Sequence, residues 1–442
     1  MDRRSFLGKA VAAGAITTIG AAGLGSCKKE LDNEALGLPP LLDRAPDGKK
    51  LKAGLVGCGN RGTGAALDFV AAGADLEIIA LADVFDDKVK ECRQKLANGK
   101  VEVPLKNCFS GFDAYKKLLE TDVDVVILAT PPHFRPEQLK ACVTAKKHVF
   151  MEKPASVDPV GARSVMASSK KAESLGLTII TGTQRRHQRD YVETYKRVAN
   201  GAIGDFISAR AWWMQSHVWF RTREKGWNDM EYMIRNWNNF CWLCGDHILD
   251  THVHNIDIIN WFTGKHPVSA IGFGGRHRRL TGDQYDFFNV DFDYGDAFHS
   301  QSTTRQIDGC ENGIGEIIMG SEGYTNCENT IFYPDGTVKW KYEYPLNANG
   351  VSSGVVKVSP YVQEHIHLAT AIRTNNPVQE AERTAISTLT AIMGRISAYT
   401  GKKITWDEMM NSTLKLGPEE YKLGDVEMEI KVPEPGIQHK GT

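Results

Sequence analysis

A glycine-rich hexapeptide, Gly57-Cys58-Gly59-Asn60-Arg61-Gly62, constrains this chain more than any other stretch. It follows the apolar run Leu51 to Val56 and leads into a segment with helical patterning, Gly64 to Ala72. In that context the first glycine permits a tight turn, the second lets a pyrophosphate approach the backbone, and the third allows close helix-to-strand packing. The helix N-terminus supplies the anion site. Further on, Asp83 closes the apolar stretch Ile79-Ala80-Leu81-Ala82, where a carboxylate accepts adenosine ribose hydroxyls. These residues predict a dinucleotide cofactor. Asp83 favours NAD, while Arg61, able to contact a 2'-phosphate, keeps NADP open.

Apolar runs at 76–82, 123–129, 148–151 and 177–181 read as further strands, with helices over 86–97, 136–146 and 159–175 between them. Near-continuous apolar strands alternating with amphipathic helices predict an α/β Rossmann domain with a parallel sheet, spanning 49–182. Beyond Gly182 the pattern becomes strand-rich, at 204–215, 267–273, 287–294, 297–305 and 314–320. Phe288, Val290 and Phe292 alternate strictly with Asn289, Asp291 and Asp293, which suits an antiparallel sheet with one wet face. A C-terminal α+β domain with a large, mainly antiparallel open sheet is therefore expected over 183–430. Helices are expected over 247–262, 362–374 and 381–399.

Chemistry concentrates at the carboxyl ends of the predicted parallel strands, where open α/β sheets bind ligands. Thr130-Pro131-Pro132-His133 follows the third strand and Glu152-Lys153-Pro154 the fourth. A lysine in that place can donate to a substrate hydroxyl or move a proton. On a continuous helix, His247, Asp250, His254, Asp257 and Trp261 share one face. His254 beside a nicotinamide can exchange a proton with the hydroxyl being oxidised, with Asp250 orienting it. An interdomain hydrogen-bond network, or a metal held by His247, Asp250 and His254, remains open from the residues alone. The polar run Thr183 to Arg189 lies at the domain junction; Gln184 is assigned to the cofactor, and Arg186 and His187 to the substrate. Trp237, within an aromatic-rich stretch, is assigned to stacking on a sugar ring.

The net charge of -1 supplies no basic stripe for nucleic acid, and a small neutral ligand fits it better. Arg3-Arg4 ahead of the apolar run Ala10 to Leu24 reads as a twin-arginine export signal over residues 1–26. Leu24-Gly25-Ser26-Cys27 reads as a lipoprotein cleavage site, so Cys27 would carry a lipid anchor, the sole expected membrane contact. Residues 27–48 are a tether. Cys241 and Cys244 are read as buried thiols, with a strained local disulfide or a contribution to a metal site as the alternatives.

In the glycine fingerprint, in Glu152-Lys153-Pro154 and in Asp250-Thr251-His252-Val253-His254-Asn255-Ile256-Asp257 the chain resembles the Gfo/Idh/MocA family, the glucose-fructose oxidoreductase and inositol dehydrogenase group. The resemblance runs from about Leu51 to Trp406, and His252 departs from it, standing where the family commonly has a small residue. It implies catalytic roles for Lys153 and His254 with help from Asp250. It places Gly57, Gly59, Asn60, Arg61, Gly62, Asp83, Thr130, Pro131, His133 and Glu152 around the cofactor. The expected function is NAD(P)-dependent oxidation of a carbinol on a sugar or glycoside, with the cofactor tightly held and the protein a homo-oligomer in the periplasm or envelope. Two other readings stand beside it: a redox-neutral NAD-dependent glycosidase or lyase working through a 3-keto-sugar, and a non-catalytic sugar-binding lipoprotein.

Overall fold

Strands that are apolar along their whole length need cover on both faces, and the first half of the chain provides it. The computed structural model describes residues 31–344 and 358–437, so the expected export signal over 1–26 and Cys27 lie outside the described residues. The first sheet contains β1 (Leu51–Val56), β2 (Leu76–Asp83), β3 (Cys108–Ser110), β4 (Val125–Leu128), β5 (His148–Met151) and β6 (Ile179–Thr181). Their order is β3-β2-β1-β4-β5-β6, and every pairing is parallel. Helices α1 (Asn60–Ala71), α2 (Asp86–Asn98), α3 (Ala114–Leu119), α4 (Arg135–Thr144) and α5 (Pro159–Ser174) make the crossovers. The strand order reverses between β1 and β4, and ligands bind such sheets outside the carboxyl ends at that point.

Helix α6 (Arg189–Ala199) leads into a second sheet. Its strands are β7 (Phe206–Gln215), β8 (Ser269–Gly275), β9 (Phe287–Asp293), β10 (His299–Gln306), β11 (Gly313–Gly320), β12 (Gly323–Thr325), β13 (Thr330–Phe332), β14 (Val338–Lys341) and β15 (Ile404–Thr405). They lie in the order β14-β13-β12-β11-β7-β10-β9-β8-β15, antiparallel except where β7 runs parallel to β10. In β9 the alternation holds as expected, with Phe288, Val290 and Phe292 buried. Between β7 and β8 come α7 (Asp229–Arg235), α8 (Cys241–Cys244), α9 (His247–Asp250) and α10 (Val253–Thr263).

Two features differ from the sequence expectation. The helix expected over 247–262 is broken at Thr251 and His252 into α9 and α10. Two residues with positive φ, Gly245 at 82° and Asp246 at 72°, turn the chain into α9, and the His252 imidazole then leaves the helix line to reach Ser302 Oγ on β10 at 2.7 Å. Behind the break, the Asn255 amide donates to the carbonyls of Trp212 and Gly315, at 3.1 Å each, pinning α10 to β7 and β11. The second feature is the path of α11 (Pro360–Arg373) and α12 (Ala381–Thr400). Ile366, Leu368 and Ala369 of α11 are buried in one cluster with Leu55, Ala66 and Phe150 of the Rossmann domain. The Ile179 amide also donates to the Val378 carbonyl at 2.8 Å. The chain therefore returns to the first sheet before α12 carries it back beneath the second and into α13 (Trp406–Asn411).

Candidate functional site

The glycine turn has the geometry its composition demands. Gly57 has φ of 99°, and a Cβ there would stand 2.6 Å from the Ala129 backbone carbon. At Gly62 a Cβ would meet the Gly57 carbonyl oxygen at 1.8 Å, so α1 can lie this close to β1 only with glycine in place. Gly59 has nothing within 4 Å of its missing Cβ, and together with Asn60 it is exposed at the open N-terminus of α1. That is the approach a pyrophosphate needs. Asp83 is tied to the same turn: Oδ2 accepts from the Cys58 amide at 2.7 Å and Oδ1 from the Phe85 amide at 3.0 Å. Each oxygen keeps a lone pair for a ribose hydroxyl.

Arg61 points away from Asp83. Its Nε donates to Glu152 Oε1 at 2.5 Å, its Nη1 reaches Asp68 at 3.2 Å, and its Nη2 lies 3.7 Å from Glu364. One guanidinium thus faces three carboxyl groups. Burial and the neighbouring Glu152 charge push the Glu364 carboxyl well above its ordinary range. Gly182, which the sequence reading did not single out, makes room for this arrangement, because a Cβ there would come within 2.5 Å of Glu152 Oε2. Thr130 donates to Gln138 Oε1 at 2.6 Å, and Pro131 follows it at the mouth of the cleft. Gln184 directs a buried Oε1 that meets no partner.

Lys153 bridges the two halves of the molecule. Its ammonium donates to the backbone carbonyl of Asp250, at the end of α9, while Asn238 Nδ2 holds the Asp250 carboxylate at 2.8 Å. His254 lies one turn further on, in α10, its ring stacked near Trp213 at 5.9 Å between centroids. Burial, then Lys153, Arg185 and Arg61, hold its imidazole well below the usual range, so it is neutral at pH 7. Trp213 belongs to the aromatic-rich stretch that the sequence offers for stacking on a sugar ring, whereas Asn238 joins the site without a sequence motif to announce it.

Other residues assigned from the sequence face elsewhere. His133 sits among Phe134, Trp242 and Tyr421 and bonds the Tyr421 hydroxyl at 2.7 Å; burial first, then Lys415, lowers it to about 3. Phe134, Trp242 and, from the C-terminal segment, Tyr421 thus enclose its ring. Arg186 makes a two-pronged bond to Asp257, at 2.8 and 2.9 Å, inside the protein, and so is not free to bind a sugar. His187 is buried beside Glu380 and His367. Trp237 stands edge-on to Trp219 at 6.2 Å, among the side chains around Phe240 rather than against His254. His247 is turned by the helix break onto Asp246, 2.9 Å away, so His247, Asp250 and His254 do not converge as a metal site. Cys241 and Cys244 are free buried thiols, not a disulfide.

Residues 51–179 match the family model described as "Oxidoreductase family, NAD-binding Rossmann fold", the Gfo/Idh/MocA group. Over those residues this chain is similar to that family. Myo-inositol 2-dehydrogenase of Thermotoga maritima is 30% identical over 154 residues, 35% of this chain and 42% of that protein. The chain thus matches less than half the length of that curated relative. The scyllo-inositol 2-dehydrogenase (NAD(+)) of Bacillus subtilis is 24% identical over 262 residues, covering 58% of this chain and 67% of the relative. A solved scyllo-inositol dehydrogenase from Lactobacillus casei, with bound NAD(H) and scyllo-inositol, superposes with a TM-score of 0.60 at 18% identity. It covers 81% of this chain and 99% of its own, so both domains share that fold.

The Arg186 and Asp257 pair is expected to hold the fold rather than the ligand. Truncating one partner of a buried pair typically costs about 3–5 kcal/mol. Asp257→Ala is expected to lose stability on that scale in urea unfolding, and an unchanged midpoint would remove the structural role.

Proposed function

We propose that this protein is an NAD-dependent oxidoreductase acting on a carbinol of a sugar or glycoside, with Lys153 and His254 handling the hydroxyl proton. The observation that carries this reading is the Lys153 bond to the Asp250 carbonyl, which brings the end of a cofactor-sheet strand against the segment bearing His254. NAD bound along the glycine turn would supply the hydride acceptor. The residues fit it: Gly59 leaves the turn open, Asp83 offers acceptors to the ribose, and Arg61 is already committed to carboxylates rather than to a 2'-phosphate. NAD is therefore favoured over NADP.

Hydride can leave a carbinol carbon only as its hydroxyl proton is removed. A neutral His254 is ready to accept that proton, and the Lys153 ammonium can orient the same oxygen by donating to it. Asp250, held by Asn238, keeps the segment before His254 in place. Trp213 beside His254 offers an apolar wall to one face of a sugar ring. The named relatives act on inositols, which are ring polyols of the same chemical kind.

The cofactor is proposed to be retained and recycled in place, because Arg3-Arg4 and Cys27 point to export of the folded protein and lipid anchoring in the envelope. Among the described residues no helix is long and apolar enough to cross a membrane.

Loss of general acid-base help typically costs about 10²–10⁴-fold in rate. Lys153→Ala and His254→Ala are each expected to lower turnover in that range, with the content of bound nucleotide unchanged. Assays over a panel of glycosides, reading keto-sugar and released aglycone separately, check this. Keto-sugar supports net oxidation, release of aglycone without it supports the redox-neutral route, and full turnover in His254→Ala removes that residue from the mechanism. Changing Arg3 and Arg4 to Lys is expected to leave the protein in the cytoplasm, as fractionation would show; unaltered export contradicts the leader assignment.

A further inference from the structure

Among the described residues, one group of histidine and carboxylate side chains converges as metal ligands do, and the proposed mechanism does not use it. His187 ends the 3-10 turn Gln184–His187 that follows β6, His367 lies on α11, and Glu380 caps the start of α12. All three are buried, at 1%, 6% and 0% exposure, so the site is closed to substrate. His187 Nε2 is 3.3 Å and His367 Nδ1 3.7 Å from the same oxygen, Glu380 Oε1. Both ring nitrogens of His187 and Nδ1 of His367 have no hydrogen-bond partner. Buried imidazole nitrogens are ordinarily satisfied, so these point to something that binds between them.

We propose that His187, His367 and Glu380 bind one divalent transition-metal ion, such as Zn²⁺ or Co²⁺, at the seam between the Rossmann sheet and the returning helices. The three ligand atoms lie within 4.8 Å of one another. Metal bonds to imidazole nitrogen and carboxylate oxygen of about 2.0–2.2 Å set two ligand atoms at most about 4.4 Å apart, so the 3.3 and 3.7 Å separations from Glu380 Oε1 already fit a shared ion. Two imidazoles and one carboxylate select zinc-like ions over Mg²⁺ or Ca²⁺, which prefer all-oxygen shells. The carboxylate is held in place: Glu380 Oε2 accepts from the Thr181 amide at 2.9 Å, and Arg383 donates to Oε1.

Arg383 already balances the Glu380 charge, so an incoming cation binds against it, with the guanidinium becoming an outer partner of the ligating carboxylate. A bound ion would tie the turn bearing Gln184 to α11 and α12. Its role is positional: it would stabilise the seam without touching the reacting atoms.

The test uses the full chain with its native nucleotide content, freed of metal by chelator and dialysed. Titration with ZnSO4 is expected to show one tight site and a rise in melting temperature, with no comparable effect of MgCl2. His187→Gln and His367→Gln are each expected to weaken Zn²⁺ binding at least tenfold, and Arg383→Gln to tighten it. Should a histidine variant fail to fold, the visible spectrum of CoCl2 added to the wild-type protein decides: bands of low-symmetry, nitrogen-ligated Co²⁺ support the site, and the spectrum of hydrated Co²⁺ overturns it. Absence of Zn²⁺ binding, affinity unchanged in both folded histidine variants, or equal stabilisation by MgCl2 also overturns it.

Discussion

The buried ion pair between Arg186 and Asp257 ties the site together. Arg186 lies in the turn that leaves β6, and Asp257 lies three residues beyond His254 on α10. Two parallel bonds, together with a third donated to Asp257 by the Ser387 hydroxyl at 2.7 Å, lock that turn, α10 and α12 to one another. Removing two charges from water is costly, and only near-complete hydrogen bonding offsets it. The result is specificity of placement: α10 can take one position relative to the cofactor sheet, and His254 is placed with it. Lys153 can then reach the Asp250 carbonyl from the other side of the cleft.

Charge within the cleft is unevenly distributed. Arg61 faces Glu152, Asp68 and Glu364 together, and the last of these is buried with neither oxygen hydrogen-bonded, its carboxyl pushed well above the ordinary range by burial and the Glu152 charge. Near His254 the balance is reversed, since Lys153, Arg185 and Arg61 all oppose its protonation. An arrangement that keeps an imidazole neutral beside a lysine ammonium sets a proton acceptor next to a hydrogen-bond donor at one pH, the pairing that the proposed carbinol oxidation would use.

Much of this was legible in the sequence wherever one local rule governs a segment. The glycine turn, the parallel strands and the alternation of β9 follow from sterics and period-two burial, and the structure reproduces them. The face assignment of His247 failed because it assumed one helix. Asp246 adopts positive φ without being glycine, and His252 is drawn to Ser302, a partner fifty residues away in sequence. His133 and Arg186 looked like ligand residues by position, but each is claimed by a distant partner, Tyr421 and Asp257 in turn, and His187 is buried 3.3 Å from Glu380. Gly182 and Asn238 carry no motif, and their roles exist only once Glu152 and Asp250 are placed against them.

The account turns on His254 being a neutral base in a cationic surround, and the acid limb of kcat/KM, which reports the free enzyme, tests this most directly. An ordinary histidine has a pKa of 6.5, whereas burial and neighbouring cations hold this one well below it. Protonation would remove the base, so the account predicts that kcat/KM for carbinol oxidation stays level as pH falls through 6.5 and declines only well beneath it. A half-maximal point near pH 6.5 that disappears in His254→Ala would contradict it.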